Sequence, residues 1–122
     1  MKENNIILEK TFQFALRIVK LFGHLKEKKV AHEIAIQLLK SGTSIGANTE
    51  EAIGASSIKD FIHKLEIAYK EARETKYWLR LMKESELLEE KISISFLADC
   101  EEILKILASI LKTSKVKANP NS

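Results

Sequence analysis

A block of small residues, Ser41-Gly-Thr-Ser-Ile-Gly-Ala-Asn-Thr-Glu-Glu-Ala-Ile-Gly-Ala-Ser-Ser57, interrupts an otherwise bulky chain. It holds three of the four glycines and no aromatic residue, whereas the flanking segments place large apolar and charged residues at helical spacing. Small residues let two backbones approach closely, and a buried serine or asparagine there needs a hydrogen-bond partner. The positions Ile34, Leu38, Ser41, Ile45, Asn48 and Ala52 keep a helical seam through the block. The block therefore reads as a helix, bent near Gly42, with polar residues turned inward. Gly54 is the expected left-handed cap.

The pattern around the block predicts an all-α, antiparallel up-down-up-down four-helix bundle over residues 1–114. The first helix is expected over about 5–25, with two adjacent stripes: Leu8, Phe12, Ala15, Val19 and Phe22 beside Phe14, Ile18, Leu21 and Leu25. Gly23 and the run Lys26-Glu-Lys-Lys29 mark the first turn. The second helix spans about 30–53. The third, about 57–84, opens on Ser57-Ile-Lys-Asp60, which resembles a capping box. It carries Phe61, Leu65, Ala68, Ala72, Thr75, Leu79 and Met82 at four-three spacing. The fourth, about 89–113, starts at the acidic pair Glu89 and Glu90. It places Phe96, Cys100, Ile103, Leu107 and Ile110 on one stripe. Residues 115–122 read as a disordered basic tail.

With 122 residues the chain holds one domain and one core. The single proline, Pro120, leaves long helices uninterrupted, and the single cysteine, Cys100, excludes an internal disulfide. The first residues carry acids and no sustained apolar stretch, unlike a signal peptide. No window approaches the ~20 apolar residues of a membrane span. The expected location is the cytoplasm.

Catalytic and metal chemistry find little support. Ferritin-like diiron sites need Glu-x-x-His motifs on two helices, and Asp60-x-x-His63 has no second copy. His24, His32 and His63 are scattered, so no metal or other cofactor is expected. Cys100 lies on a core stripe, as a structural thiol does. Glu71 and Glu74 share a face of the third helix. Two close carboxylates can do acid–base work, but here they are expected to join Ser41, Ser44 and Asn48 in a buried polar network that sets the register. The chain is not expected to be an enzyme. Ile67, Trp78 and Leu81 lie off the core stripes: either a wide helix face buries them inside one bundle, or they are the candidate oligomer interface.

The net charge of +3 is unevenly spread. Residues 1–40 hold eight Lys/Arg against four Glu, and residues 85–111 hold two Lys against six acids. Candidates for phosphate contact are Arg17, Lys20, Lys26, Lys28 and Lys29 on the first hairpin, with Arg73, Arg80 and Lys83 on the third helix.

Ser41-Gly-Thr-Ser-Ile-Gly-Ala-Asn48, Glu51-Ala52, Gly54 to Leu65 and Lys70-Glu-Ala-Arg-Glu-Thr-Lys-Tyr-Trp-Leu79 together form a long motif. It resembles the four-helix bundle proteins encoded in intervening sequences of bacterial large-subunit ribosomal RNA genes. These are related to the accessory variability proteins of diversity-generating retroelements. The resemblance implies a bacterial protein that assembles as a ring-shaped homopentamer and, for the retroelement branch, binding of nucleic acid and a reverse transcriptase. The expected function is a self-assembling bundle that binds structured RNA or DNA through its basic outer surface. The alternative is a scaffold for a protein partner that binds no nucleic acid.

Overall fold

The computed structural model describes residues 2–119. They form α1 (Lys2–Glu27), α2 (His32–Ile53), α3 (Ile58–Glu84) and α4 (Glu90–Ala118), an all-α four-helix bundle. Each helix packs on its two neighbours in the cycle α1–α2–α3–α4, and neither diagonal pair makes backbone contact. The α1–α2 side therefore lies opposite the α3–α4 side. The bounds differ from the sequence expectation mainly at the ends. Gly23 lies inside α1, and α4 runs on to Ala118, so Lys115 and Lys117 stand on a helix rather than in a disordered tail. Residues 120–122 of that expected tail lie outside the described residues.

α2 runs through the small-residue block from Ser41 to Ile53 without a break, leaving Gly54 to Ser57 as the turn, and the reason is its fit to α1. A Cβ placed on Gly42 would sit 2.9 Å from Ile18 Cγ1 and 3.0 Å from Ile18 Cγ2. One placed on Gly46 would sit 3.2 Å from the backbone oxygen of Thr11. These two glycines, one helical turn apart, let α2 lie against the side chain and then the backbone of α1. The helix-propensity cost of glycine, about 1 kcal/mol each, is offset by that contact.

The glycine contacts also set the rotation of α1. Its buried line is Ile7, Thr11, Phe14, Ile18, Leu21 and Leu25. Phe12 and Val19, expected in the core, are instead 53% and 51% exposed. Two apolar stripes were available on this helix, and the one that meets Gly42 and Gly46 faces inward.

The buried threonines and the polar residues Ser41 and Asn48 are satisfied within their own helices, whereas Ser93 Oγ, fully buried on α4, and Asn4 Oδ1 have no hydrogen-bond partner among the described residues. Thr11, Thr49 and Thr75 donate to the carbonyls of Ile7, Ile45 and Glu71, each at 2.8 Å. Asn48 Nδ2 donates to the Ser44 carbonyl at 2.9 Å, and Ser41 Oγ to that of Leu38 at 3.5 Å. No hydrogen bond joins Ser41, Ser44 or Asn48 to Glu71 or Glu74 among the described residues, so the expected cross-helix network does not form. A hydroxyl or amide can return to the carbonyl three or four residues earlier without a partner helix.

The turns also depart from expectation. Gly54 has φ −86° and is not left-handed. Lys29 (φ 57°) and Glu86 (φ 62°) take that conformation instead. Each ends its helix in a Schellman motif: Val30 N–H donates to the Leu25 carbonyl at 3.0 Å, and Leu87 N–H to that of Met82 at 2.9 Å. α3 starts as expected, with Ser57 Oγ accepting from the Asp60 N–H at 3.0 Å.

The glycine fit yields a contrast within one residue type. Gly42→Ala with Gly46→Ala should lower stability by about 1–3 kcal/mol through overpacking. Gly23→Ala, with no atom within 4 Å of the added Cβ, should raise it by up to about 1 kcal/mol. Denaturant titrations of the variants provide the check.

Candidate nucleic-acid interface

On α3, Tyr69, Arg73, Lys76 and Arg80 recur at spacings of four, three and four, which places them on one helix face. Tyr77 stands beside that stripe. Facing them on α4 are Glu101, Leu104, Lys105 and Ala108. Leu104 is buried and forms the floor, and the small Ala108 leaves the space above it open. The result is a groove of about 560 Å³ between α3 and α4, walled by Arg73, Lys76, Arg80 and Lys105 with the two tyrosines.

Two further hollows adjoin the groove along the seam, the nearer sharing Tyr69 and Ala108 with it and the farther meeting the nearer at Glu66 and Lys115. Past Tyr69 the seam is lined by Lys70, Glu66, Leu111 and Lys115, and further on by Lys59, His63 and Ile62. From Lys59 to Arg80 it follows about 30 Å of α3 at 1.5 Å per residue. Its two acids are both engaged, Glu101 by Lys76 and Glu66 by Lys115 at 3.0 Å. Arg73, Arg80, Lys105, Lys70 and Lys59 have no carboxylate within ion-pair distance among the described residues. The seam thus carries five cations without an acid partner among the described residues beside the paired Lys76 and Lys115, with apolar and aromatic side chains between them.

The structure separates the residues expected to contact phosphate. Arg73 and Arg80 fall in this groove. Arg17 does not: it faces α4 elsewhere, paired with Asp99, donating to Ser95 Oγ at 3.0 Å and lying 4.0 Å above the Phe96 ring. Lys83 stands 3.7 Å from Glu84 and 3.9 Å from Glu90. Lys20, Lys26, Lys28 and Lys29 are exposed on α1 and the α1–α2 turn, across the bundle from the groove. Lys105, Lys76, Tyr69 and Tyr77 were not foreseen. Lys105 was masked by the acidic balance of its segment, although its place four residues after Glu101 and three before Ala108 puts it at the edge of the seam.

Burial pushes the Glu71 carboxyl above its ordinary range, the neighbouring Glu74 adds to the rise, and Lys70 opposes it. Glu74 accepts a hydrogen bond from Trp78 Nε1 at 3.3 Å. Ile67, Trp78 and Leu81 are half-buried, and Trp78 packs against the core. Among the described residues, no three His, Cys, Asp or Glu side chains are grouped to hold a metal ion, and no helix is long and apolar enough to cross a membrane.

Cys100 is fully buried and donates to the Ala72 carbonyl at 3.3 Å, tying α4 to α3. Burial pushes its thiol up to about 12, Glu101 and Asp99 adding to the rise and Lys76 opposing it. The folded state thus favours the protonated thiol. The stabilisation is complete below the ordinary thiol value of 9.0 and is lost as pH rises toward about 12. Near neutral pH the native protein should react with DTNB no faster than it unfolds, while denatured protein labels at once.

The fold and groove define a class: an all-α bundle with one basic, aromatic-lined seam. A family model described as 23S rRNA-intervening sequence protein matches residues 3–109. The chain belongs to that family. It is also similar to a solved structure described as a protein of unknown function from the S23 ribosomal protein family of Bacteroides thetaiotaomicron. The two share 44% identity over 90% of this chain and 98% of that one, with a TM-score of 0.87. No curated protein matches the chain.

Proposed function

We propose that this chain is a non-enzymatic, self-assembling cytoplasmic bundle that binds RNA or DNA through the α3–α4 groove. The observation that carries the reading is the run of unpaired cations along that seam, interleaved with Tyr69 and Tyr77. Cations fixed on rigid helices contact phosphates without an ordering cost in the backbone. The family description, which names a ribosomal RNA context, supports RNA as the physiological polymer. The resemblance to accessory proteins of retroelements points the same way.

Self-assembly rests on a different surface. Lys10 and Arg17 mark the α4 edge of α1, while Thr11 and Ile18 meet α2. Phe12, Leu16 and Val19 lie beyond the α2 edge, away from α4, and are 53%, 40% and 51% exposed. A contiguous apolar stripe of this kind favours a protein partner, here further copies of the chain, in the ring-shaped homopentamer that the family resemblance implies. Because the α1–α2 side is opposite the groove, assembly through it leaves every groove open and multiplies weak sites by avidity.

Two measurements test these surfaces separately. Arg73→Gln with Arg80→Gln should weaken binding to ribosomal RNA fragments and lower the slope of log affinity against log salt by about 1.5. Lys26→Gln with Lys28→Gln should change neither. Absence of binding by the native protein even at low salt would reject the nucleic-acid reading, and a nuclease-insensitive protein captured in its place would favour a scaffold. For assembly, Phe12→Glu with Val19→Glu should reduce the light-scattering mass to that of the 13.9 kDa chain. A native monomer at micromolar concentration contradicts self-assembly.

A further inference from the structure

We infer that the α3–α4 groove takes unpaired nucleotides, with the phosphates along its cations and bases stacked on Tyr77 and Tyr69. This rests on the nucleic-acid reading above and names the ligand class of that site: single-stranded rather than duplex nucleic acid.

Three features of the groove carry the inference. The first is the rings. Tyr77 is 55% exposed, yet it is braced edge-on by Trp78, with centroids 5.1 Å apart and planes at 75°. A ring in T-shaped contact with a single neighbour keeps at least one face open to a flat ligand. Tyr69 is half-buried where two stretches of the groove meet, eight residues and about 12 Å away along the same helix. The second is the alternation. Arg73 falls between the tyrosines and Arg80 just beyond them, with Lys105 across on α4. Cations interleaved with aromatic faces along a groove that tracks a backbone are the arrangement that holds single strands with little sequence preference.

The third is width. The seam lies between adjacent packed helices, whose axes run about 8–10 Å apart. A double helix could lay phosphates across its rim, but paired bases stay stacked inside the duplex and would leave both tyrosines idle. An acidic peptide would pair with the cations and has no groups that require flat aromatic faces. The observations therefore favour an unpaired strand over either.

The test compares a single-stranded RNA oligonucleotide of about twelve nucleotides, a blunt RNA duplex of the same length and a polyglutamate peptide, a length within the site sizes seen for single-strand grooves. Affinities come from anisotropy, and the emission of Trp78, the only tryptophan, reports contact at Tyr77. The single strand should bind about tenfold more tightly than the duplex and quench Trp78. Tyr77→Leu should weaken the single strand about tenfold, within the range for loss of one stacked base, and leave the duplex unchanged, while Tyr77→Phe retains binding. Exposure of the ring makes the variant tolerable, and circular dichroism checks its fold.

Equal binding of strand and duplex, unaffected by Tyr77→Leu but weakened by Arg73→Gln with Arg80→Gln, overturns the stacking inference and leaves the basic groove standing. If neither RNA binds at low salt, both readings fall. If polyglutamate alone binds, the groove is a site for an acidic protein segment and the inference is again overturned.

Discussion

The close approach of α2 to α1 at Gly42 and Gly46 is the constraint on which the rest of the bundle depends. Ile18 occupies the space a side chain at Gly42 would need, and the backbone of α1 at Thr11 borders Gly46. This contact fixes the depth and rotation of the first hairpin. With α1 so rotated, Phe14 meets Phe96 edge-on at a centroid distance of 6.1 Å. Arg17 then reaches Asp99 and Lys10 reaches Glu102 at 2.8 Å, closing the cycle of helices. The same rotation puts Phe12, Leu16 and Val19 outside. A chain without small residues at 42 and 46 would hold its helices farther apart and lose this register.

Position in the bundle then divides the surface by chemistry. The α1–α2 side carries apolar residues together with the unpaired Lys20, Lys26, Lys28 and Lys29, the α1–α4 seam carries neutralised pairs, and the α3–α4 seam sets unpaired cations in a groove beside two tyrosines. Similar numbers of charged residues thus produce different surfaces. Arg17 is spent on Asp99 and Phe96, whereas Arg73 and Arg80 remain available. Net charge is a weak guide here because what matters is which unpaired cations the fold gathers in one groove with aromatic rings. The proposed division of labour, assembly on one side and nucleic acid on the other, follows from that segregation.

Much of the fold was legible in the sequence. Periodicity located all four helices, and the seam through Ser41, Ile45 and Ala52 showed that the small-residue block is helical. Its partner was not legible. Spacing identifies a face and not the helix that meets it, so the polar seam was assigned to acids on α3 when its glycines serve α1. The stripes Phe12–Val19 and Phe14–Leu25 were equally apolar, and only three-dimensional fit decides between them. The Lys29 and Glu86 turns were obscured because a left-handed residue is usually expected to be glycine. For the site, Arg73 and Arg80 were visible as candidates. Lys105 and the tyrosines were not, because a groove is built by two helices and neither one displays it alone.

The most direct test is residue-resolved. Amide chemical-shift mapping of the labelled protein, titrated with a single-stranded RNA oligonucleotide, reports where the polymer lies without altering any side chain. Perturbations concentrated between Tyr69 and Arg80 on α3 and between Glu101 and Ala108 on α4 are the predicted result. Perturbations centred on Lys20 and Lys26 to Lys29, with the α3–α4 seam silent, would contradict it.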